Sequence, residues 1–189
     1  MTAFGFQALT REELGIDIDI EETGSTFYEN ALLKASAICD ASGLPAIADD
    51  SGLCVDALGG GPGLYSSSFG GEGLTDSERC DYLIKKLGSM EQRGAKFVCN
   101  IVCVFPDGEI LSAAGECRGT ILAEPRGANG FGYDPVFIAD GMDCTMAELP
   151  PDVKNSISHR GLALLKFAEL INEMALQKGY EKGNGSQKH

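Results

Sequence analysis

An α/β or α+β domain whose sheet is not purely parallel is predicted from three observations on the sequence. Two segments carry helix-start and helix-stop residues around apolar positions at helical spacing. A run rich in Val, Ile, Phe and Cys, from Lys96 to Phe105, reads as a strand. The turn Pro106-Asp107-Gly108 then sends the chain straight back, a connection that only antiparallel neighbours can use. At 189 residues and 43% hydrophobic, the chain is long and apolar enough to bury a core. One domain is expected over residues 1–181, followed by a polar, glycine-bearing tail, 182–189, expected to fray.

The first helix is expected over Thr26 to Ser42. Thr26 and Glu29 have the spacing of a capping box, Phe27, Ala31, Ala35 and Ile38 form the apolar stripe, and Gly43 can end it. Leu44 to Ala48 reads as a short buried strand, stopped by the turn formers Asp49-Asp50-Ser51-Gly52. The run Gly59-Gly60-Gly61-Pro62-Gly63 supports neither helix nor strand and reads as a structural loop. It lacks G-x-x-x-x-G-K-[ST], so it is not a phosphate-binding P-loop, and its glycine spacing is not a dinucleotide fingerprint. A second helix follows from Thr75 to Leu87, with Glu78 completing its box and Gly88 behind it. Glu109 to Cys117 is the partner strand after the Pro-Asp-Gly turn, and Gly119 to Ala123 reads as a further short strand. Past a glycine-rich loop lies a final helix, Gly161 to Gln177, with Gly179 as its stop.

Composition narrows the function. Fifteen Lys and Arg against 28 Asp and Glu leave a net charge of −13, which excludes broad, salt-driven binding to a nucleic-acid polymer. A small polyanion held through a metal ion and a few lysines remains compatible with that charge. No apolar run reaches the roughly 20 residues of a membrane span, and the start lacks the basic-then-apolar layout of a secretion signal. Seven cysteines without C-x-x-C spacing give no zinc knuckle or redox pair. A reduced, cytoplasmic protein is expected.

Four groups of residues can carry chemistry. An aspartate of the pair Asp49-Asp50 can bind Mg²⁺ or take a proton from attacking water, and strand alternation sends the two side chains to opposite faces. A polar turn is the competing reading. Glu29 is either a helix cap or a metal ligand. Phe131-Gly132-Tyr133-Asp134-Pro135 places two aromatics and an acid in a loop, where a ring can stack on a base; the same rings can equally be core anchors. Lys154, Ser158, His159 and Arg160 cluster before the last helix. Neighbouring Ser158 and His159 do not make a hydrolase triad, and no G-x-S-x-G elbow is present.

Taken together and in order, these motifs resemble one family. They are Thr26-Phe27-x-Glu29-Asn30-Ala31-x-x-Lys34-Ala35, Ala48-Asp49-Asp50-Ser51-Gly52-Leu53 and Leu58-Gly59-Gly60-x-Pro62-Gly63-x-Tyr65-Ser66, followed by Phe131 to Pro135 and Lys154-Asn155-x-Ile157-Ser158-His159-Arg160-Gly161. The pattern, over roughly Ile20 to Leu170, is similar to the inosine triphosphate pyrophosphatases, also called dITP/XTP pyrophosphatases. The resemblance implies a mixed α/β domain, elongated, with a central nucleotide cleft and usually a homodimer. It implies hydrolysis of ITP, dITP or XTP to the monophosphate and pyrophosphate with Mg²⁺. By the same resemblance, Glu29 and Asp50 hold the metal and Asp50 is the general base. Lys34, Lys154 and the Ser51 region contact phosphates; Phe131 stacks on the purine within the Phe131-Gly132-Tyr133-Asp134 loop; and Asp134, His159 and Arg160 read its edge.

Members of that family begin with a strand and a Ser/Thr-x-Asn-x-x-Lys loop that cradles the triphosphate. Met1 to Tyr28 contain neither Asn nor Lys, so this chain is expected to lack both. That sets two readings against each other: an active pyrophosphatase, or a protein that binds the nucleotide without turning it over. A pyrophosphatase for modified pyrimidine or methylated nucleotides is a third reading, against which the Phe131 and His159-Arg160 motifs argue.

Overall fold

The computed structural model describes residues 7–178. The predicted stop Gly179, the tail 182–189 and the domain's ends at 1 and 181 lie outside the described residues. Elements follow in the order α1 (Phe27–Ser42), β1 (Ala46–Val55), α2 (Asp76–Leu87), β2 (Gly94–Val104), β3 (Ile110–Ile121), β4 (Phe137–Ala139), α3 (Pro151–Ile157) and α4 (His159–Gln177). Among the described residues the four strands form one sheet in the order β1-β2-β3-β4, antiparallel throughout. The mixed α/β class is as the sequence predicts.

Both predicted capping-box starts are observed, whereas the last helix starts at His159, two residues before the predicted Gly161. Thr26 Oγ1 accepts the Glu29 N–H at 3.1 Å, and Gly43 closes α1 in the left-handed region at φ 67°. The box is shifted by one residue, however: the Glu29 carboxylate accepts from Ser25 N and Ser25 Oγ, both at 2.6 Å, instead of the Thr26 backbone. In α2 the box is complete, with Thr75 and Glu78 bonding each other both ways. Each such cap is worth about 1 kcal/mol.

Two strand boundaries differ from the expectation. Strand β1 does not stop at Ala48; it runs through Asp49-Asp50-Ser51-Gly52 to Val55, with Asp49 opposite Ile101, Asp50 opposite Asn100 and Gly52 opposite Val98. Ladder bonds to β2 satisfy this backbone, which outweighs the turn preference of the side chains. Gly52 is there for clearance: a Cβ would sit 2.3 Å from the Gly63 carbonyl and 2.8 Å from the Phe27 ring. Likewise Gly119 does not open a new strand but continues β3, where a Cβ would meet the Ile138 carbonyl of β4 at 2.1 Å. Helix α3, absent from the sequence reading, starts on Pro151 at its first position, where a missing N–H costs nothing. Residues 59–61 form a loop, as predicted, but Pro62 bridges to Cys54 and Gly63 opens a short 3-10 turn to Tyr65.

The sheet separates two packing layers. Even-numbered β1 and β2 residues face α1, where Ala31 and Ala35 pack on Val102 beside Ala48 and Val104. Odd-numbered residues face α2 and α4. There Leu53, Val55, Phe97, Cys117 and Ile121 meet Leu83, Leu87, Tyr133 and Phe137, while Cys99, Ile101 and Cys103 meet Ala163 and Phe167. Gly115 lets the start of α4 come against β3, since a Cβ there would lie 2.1 Å from the His159 carbonyl and 2.5 Å from the Ala163 nitrogen. That contact sets the height of His159 and Arg160 above the sheet. All seven cysteines are free thiols, five of them buried. No helix among the described residues is long and apolar enough to cross a membrane.

Candidate functional site

Eight of the predicted site residues line one cleft of about 1000 Å³ on the α2/α4 side of the sheet: Ser51, Phe131, Gly132, Tyr133, Asp134, Lys154, His159 and Arg160. Asp50, Lys34 and Glu29 do not line it; they lie on the α1 side of β1. The sequence predicted that Asp49 and Asp50 would point to opposite faces, and they do.

The loop that follows β3 is fastened at several points. Asp134 accepts the Phe131 N–H at 2.8 Å and is ion-paired to Lys154. Asp76, at the first turn of α2, accepts the Gly132 N–H at 2.6 Å, and the Cys80 thiol donates to the Gly132 carbonyl at 3.3 Å. Gly132 itself sits at φ 59°, a region that disfavours residues with a Cβ. The two aromatics of the loop part company. Tyr133 is buried and donates its hydroxyl to the Ser66 carbonyl at 2.8 Å, so it anchors the loop, and burial pushes its phenol above the ordinary range. Phe131 is 59% exposed, with the Lys154 ammonium 4.8 Å and the Arg160 guanidinium 5.6 Å from its ring centre. An exposed ring ringed by cations is a platform for a flat, electron-rich ligand.

His159 and Arg160 start α4, capped by Ser158 Oγ, which accepts from the Gly161 N–H at 3.1 Å. Gly161 is needed at this junction, because a Cβ would fall 1.7 Å from the Asn155 carbonyl of α3. The His159 imidazole is buried, stacked on Phe97 at 4.8 Å between centres, and its Nδ1 has no partner among the described residues. Burial, then the neighbouring Arg160, push its pKa down to about 4, against a weaker upward pull from Asp49. At neutral pH it is therefore an uncharged imidazole with one donor and one acceptor nitrogen. Arg160 donates Nε and Nη2 to Asp49 Oδ2, at 3.0 and 2.8 Å. Burial alone would raise the Asp49 carboxyl, but the Arg160 bonds and charge, with Ser51, hold it below the usual range.

Across β1, Lys34 donates to Asp50 Oδ1 at 2.9 Å and to Glu22 at 3.2 Å, and Asn30 Nδ2 reaches Asp50 Oδ2 at 3.4 Å. Burial lifts the Asp50 carboxyl above its ordinary value; Lys34 pulls it back only in part, and Glu22 adds to the lift. Lys34 is raised as well: burial opposes this, but two carboxylates outweigh it. Glu29 is exposed, and its bonds to Ser25 hold its carboxyl low. Strand β1 lies at the sheet's edge, and its outward-facing backbone already uses Leu53 N to donate to Ser66 Oγ and Val55 N to donate to the Gly61 carbonyl. By strand alternation the Ser51 N–H points the same way, between the two clusters. Sequence reading named neither Asp76 nor Glu22 nor the Asp49–Arg160 pair; the one signal available was an acid at the first position of α2.

A sequence model of the Ham1 family matches residues 2–170. The chain belongs to the Ham1 family. Among the most similar relatives is a dITP/XTP pyrophosphatase of Nostoc sp., 52% identical over 160 residues, covering 84% of this chain and 79% of the relative. Another, a dITP/XTP pyrophosphatase of Streptomyces avermitilis, is 46% identical over 173 residues, 88% of this chain and 86% of the relative. Among solved structures, a HAM1 protein from Coxiella burnetii superposes with a TM-score of 0.82 at 44% identity, covering 86% of this chain and 84% of that one. The Ham1 protein of Staphylococcus aureus gives 0.80 at 47% identity, covering 86% and 85%. Ham1 membership accounts for the motif order that the sequence displays.

Proposed function

We propose that this chain hydrolyses deaminated purine nucleoside triphosphates, ITP, dITP and XTP, to the monophosphate and pyrophosphate. Relatives 45–52% identical named dITP/XTP pyrophosphatase support the reaction, and they disfavour the binding-only reading. The observation that carries the assignment of roles is the division of labour across β1. An exposed aromatic platform with His159 and Arg160 stands on one face, and a lysine-paired aspartate with a raised carboxyl stands on the other. Because β1 is an edge strand, a nucleotide can lie over that edge, with its base on Phe131 and its phosphates reaching Asp50 and Lys34.

Asp50 is assigned as the base. It takes a proton from water as the oxygen bonds to the α-phosphorus and the bond from that phosphorus to the bridging oxygen breaks, with pyrophosphate leaving. Burial makes its carboxylate a better proton acceptor than a solvated one. Lys34 exchanges its bond to Asp50 for phosphate oxygens, which frees Asp50 Oδ1 as it neutralises substrate charge. Lys154 and the outward Ser51 N–H serve the phosphates nearer the cleft. The 6-oxo group of the base accepts from Arg160 or His159, whereas a 6-amino group would leave those donors unpaired.

Glu29 and Asp50 offer oxygen ligands only, which suits Mg²⁺, and no three such side chains converge among the described residues. That fits a hard dication that takes one or two carboxylates and completes its shell with phosphate and water. Glu29 and Asp50 would hold it, and it would neutralise charge on the phosphates. A homodimer and a cytoplasmic location belong to the same reading.

The test is pyrophosphate release from ITP and from ATP, with Mg²⁺ and with chelator. Metal-dependent release from ITP over ATP is the expected outcome. ITP binding without release would replace it with the binding-only reading, and equal use of ATP would remove the base preference.

A further inference from the structure

We propose that Asp49 is a positioning residue for base selection, acting through Arg160. The inference rests on the pyrophosphatase reading but on a different residue from the one that carries the chemistry. One oxygen, Asp49 Oδ2, collects Arg160 Nε at 3.0 Å, Arg160 Nη2 at 2.8 Å and Ser51 Oγ at 3.0 Å, with the Cys99 thiol at 3.7 Å. The arginine is thus gripped along one edge of its planar fork, and Nη1 is the guanidinium nitrogen left without a protein partner among the described residues. The grip joins two stiff mounts. Asp49 sits within a strand paired over its full length to β2, and Arg160 sits in the first turn of α4, whose height is set by Gly115. The guanidinium so held stands 5.6 Å from the centre of the Phe131 ring, beside the surface on which a base stacks. Half-exposed arginines otherwise sample many rotamers, and a donor that wanders discriminates poorly between an oxo and an amino group.

The experiment is a double-mutant cycle on the full chain: wild type, Asp49→Asn, Arg160→Ala and the pair, each assayed with ITP and ATP. Asp49→Asn is expected to lower the ITP-over-ATP ratio of kcat/KM by roughly tenfold. The loss should fall on the KM for ITP, with kcat held within about twofold, because no reacting atom is touched. In the Arg160→Ala background the same change should cost nothing further, since Asp49 then has nothing to hold. An unchanged ratio in Asp49→Asn, losses that multiply in the double variant, or a kcat collapse would each overturn the inference. If Asp49→Asn fails to fold by circular dichroism, Asp49→Ser is read against the same expectations. If the wild type releases no pyrophosphate, the enzymatic reading fails on its own. The bracket is then read by calorimetric binding of IMP against AMP, where Asp49→Asn must narrow the preference and an unaltered preference overturns it.

Discussion

On the α1 side of β1, Asp50 is paired with a lysine, lies near a second acid, and has its carboxyl raised. One residue earlier, on the α4 side, Asp49 is paired with an arginine and has its carboxyl lowered. Both are partly buried aspartates of one edge strand, so neither residue type nor burial separates them. The partner does. Lysine is a mobile point charge that can leave for a phosphate, whereas the arginine fork holds one geometry and never loses its charge. On the proposed reading, neighbouring carboxylates driven in opposite directions by their surroundings divide into one proton acceptor and one permanent anion.

The sharpest way to break that contrast is Asp50→Asn. Turnover of ITP is expected to fall by roughly 10²–10⁴-fold, the span of a lost general base, with nucleotide affinity largely kept. Turnover within about twofold of wild type in a stopped assay would move the base elsewhere.

The second concerns proton uptake on the α4 side. His159 is held at about 4 against an ordinary 6.5, so the unfolded chain binds its proton first as pH falls. Its contribution to stability is fully present above pH 6.5 and is lost as pH falls toward 4. The loss is on the order of 2–3 kcal/mol, and His159→Gln should remove that part of it. Urea titrations at pH 7 and 4.5 measure the difference between wild type and variant; equal acid losses in the two would show that His159 is not the group responsible.

The smallest expected effect is that of Phe131→Ala. Losing the stacking platform should raise the KM for ITP about tenfold and leave kcat nearly unchanged, because a π-face supports any base. A kcat loss comparable to that of Asp50→Asn would erase the distinction between the two faces.

The parts of the fold legible in the sequence were those set by local chemistry. Thr26, Thr75, Gly43 and Gly88 mark helix ends because their partners lie within four residues. Strand β1 escaped its reading at Asp49 because the stabilising ladder comes from β2, some fifty residues on, and local turn preference knows nothing of it. Helix α3 is seven residues long, too short to show a period. In the site, opposite facing of Asp49 and Asp50 followed from strand alternation alone. That Arg160 would meet Asp49 did not, since 111 residues separate them. The same holds for Tyr133, an anchor, and Phe131, an exposed ring, which the loop sequence presents as equals.

Gly115 does not line the cleft, yet the seat for the first turn of α4 is cut there, and the depth of that seat is a single missing methyl group. A methyl added at this position would lift the turn off its bed and carry His159 and Arg160 with it, like a shim under an instrument's stage. On the proposed reading, fidelity toward the purine edge is thereby calibrated at the sheet's third strand, by an atom that is not there.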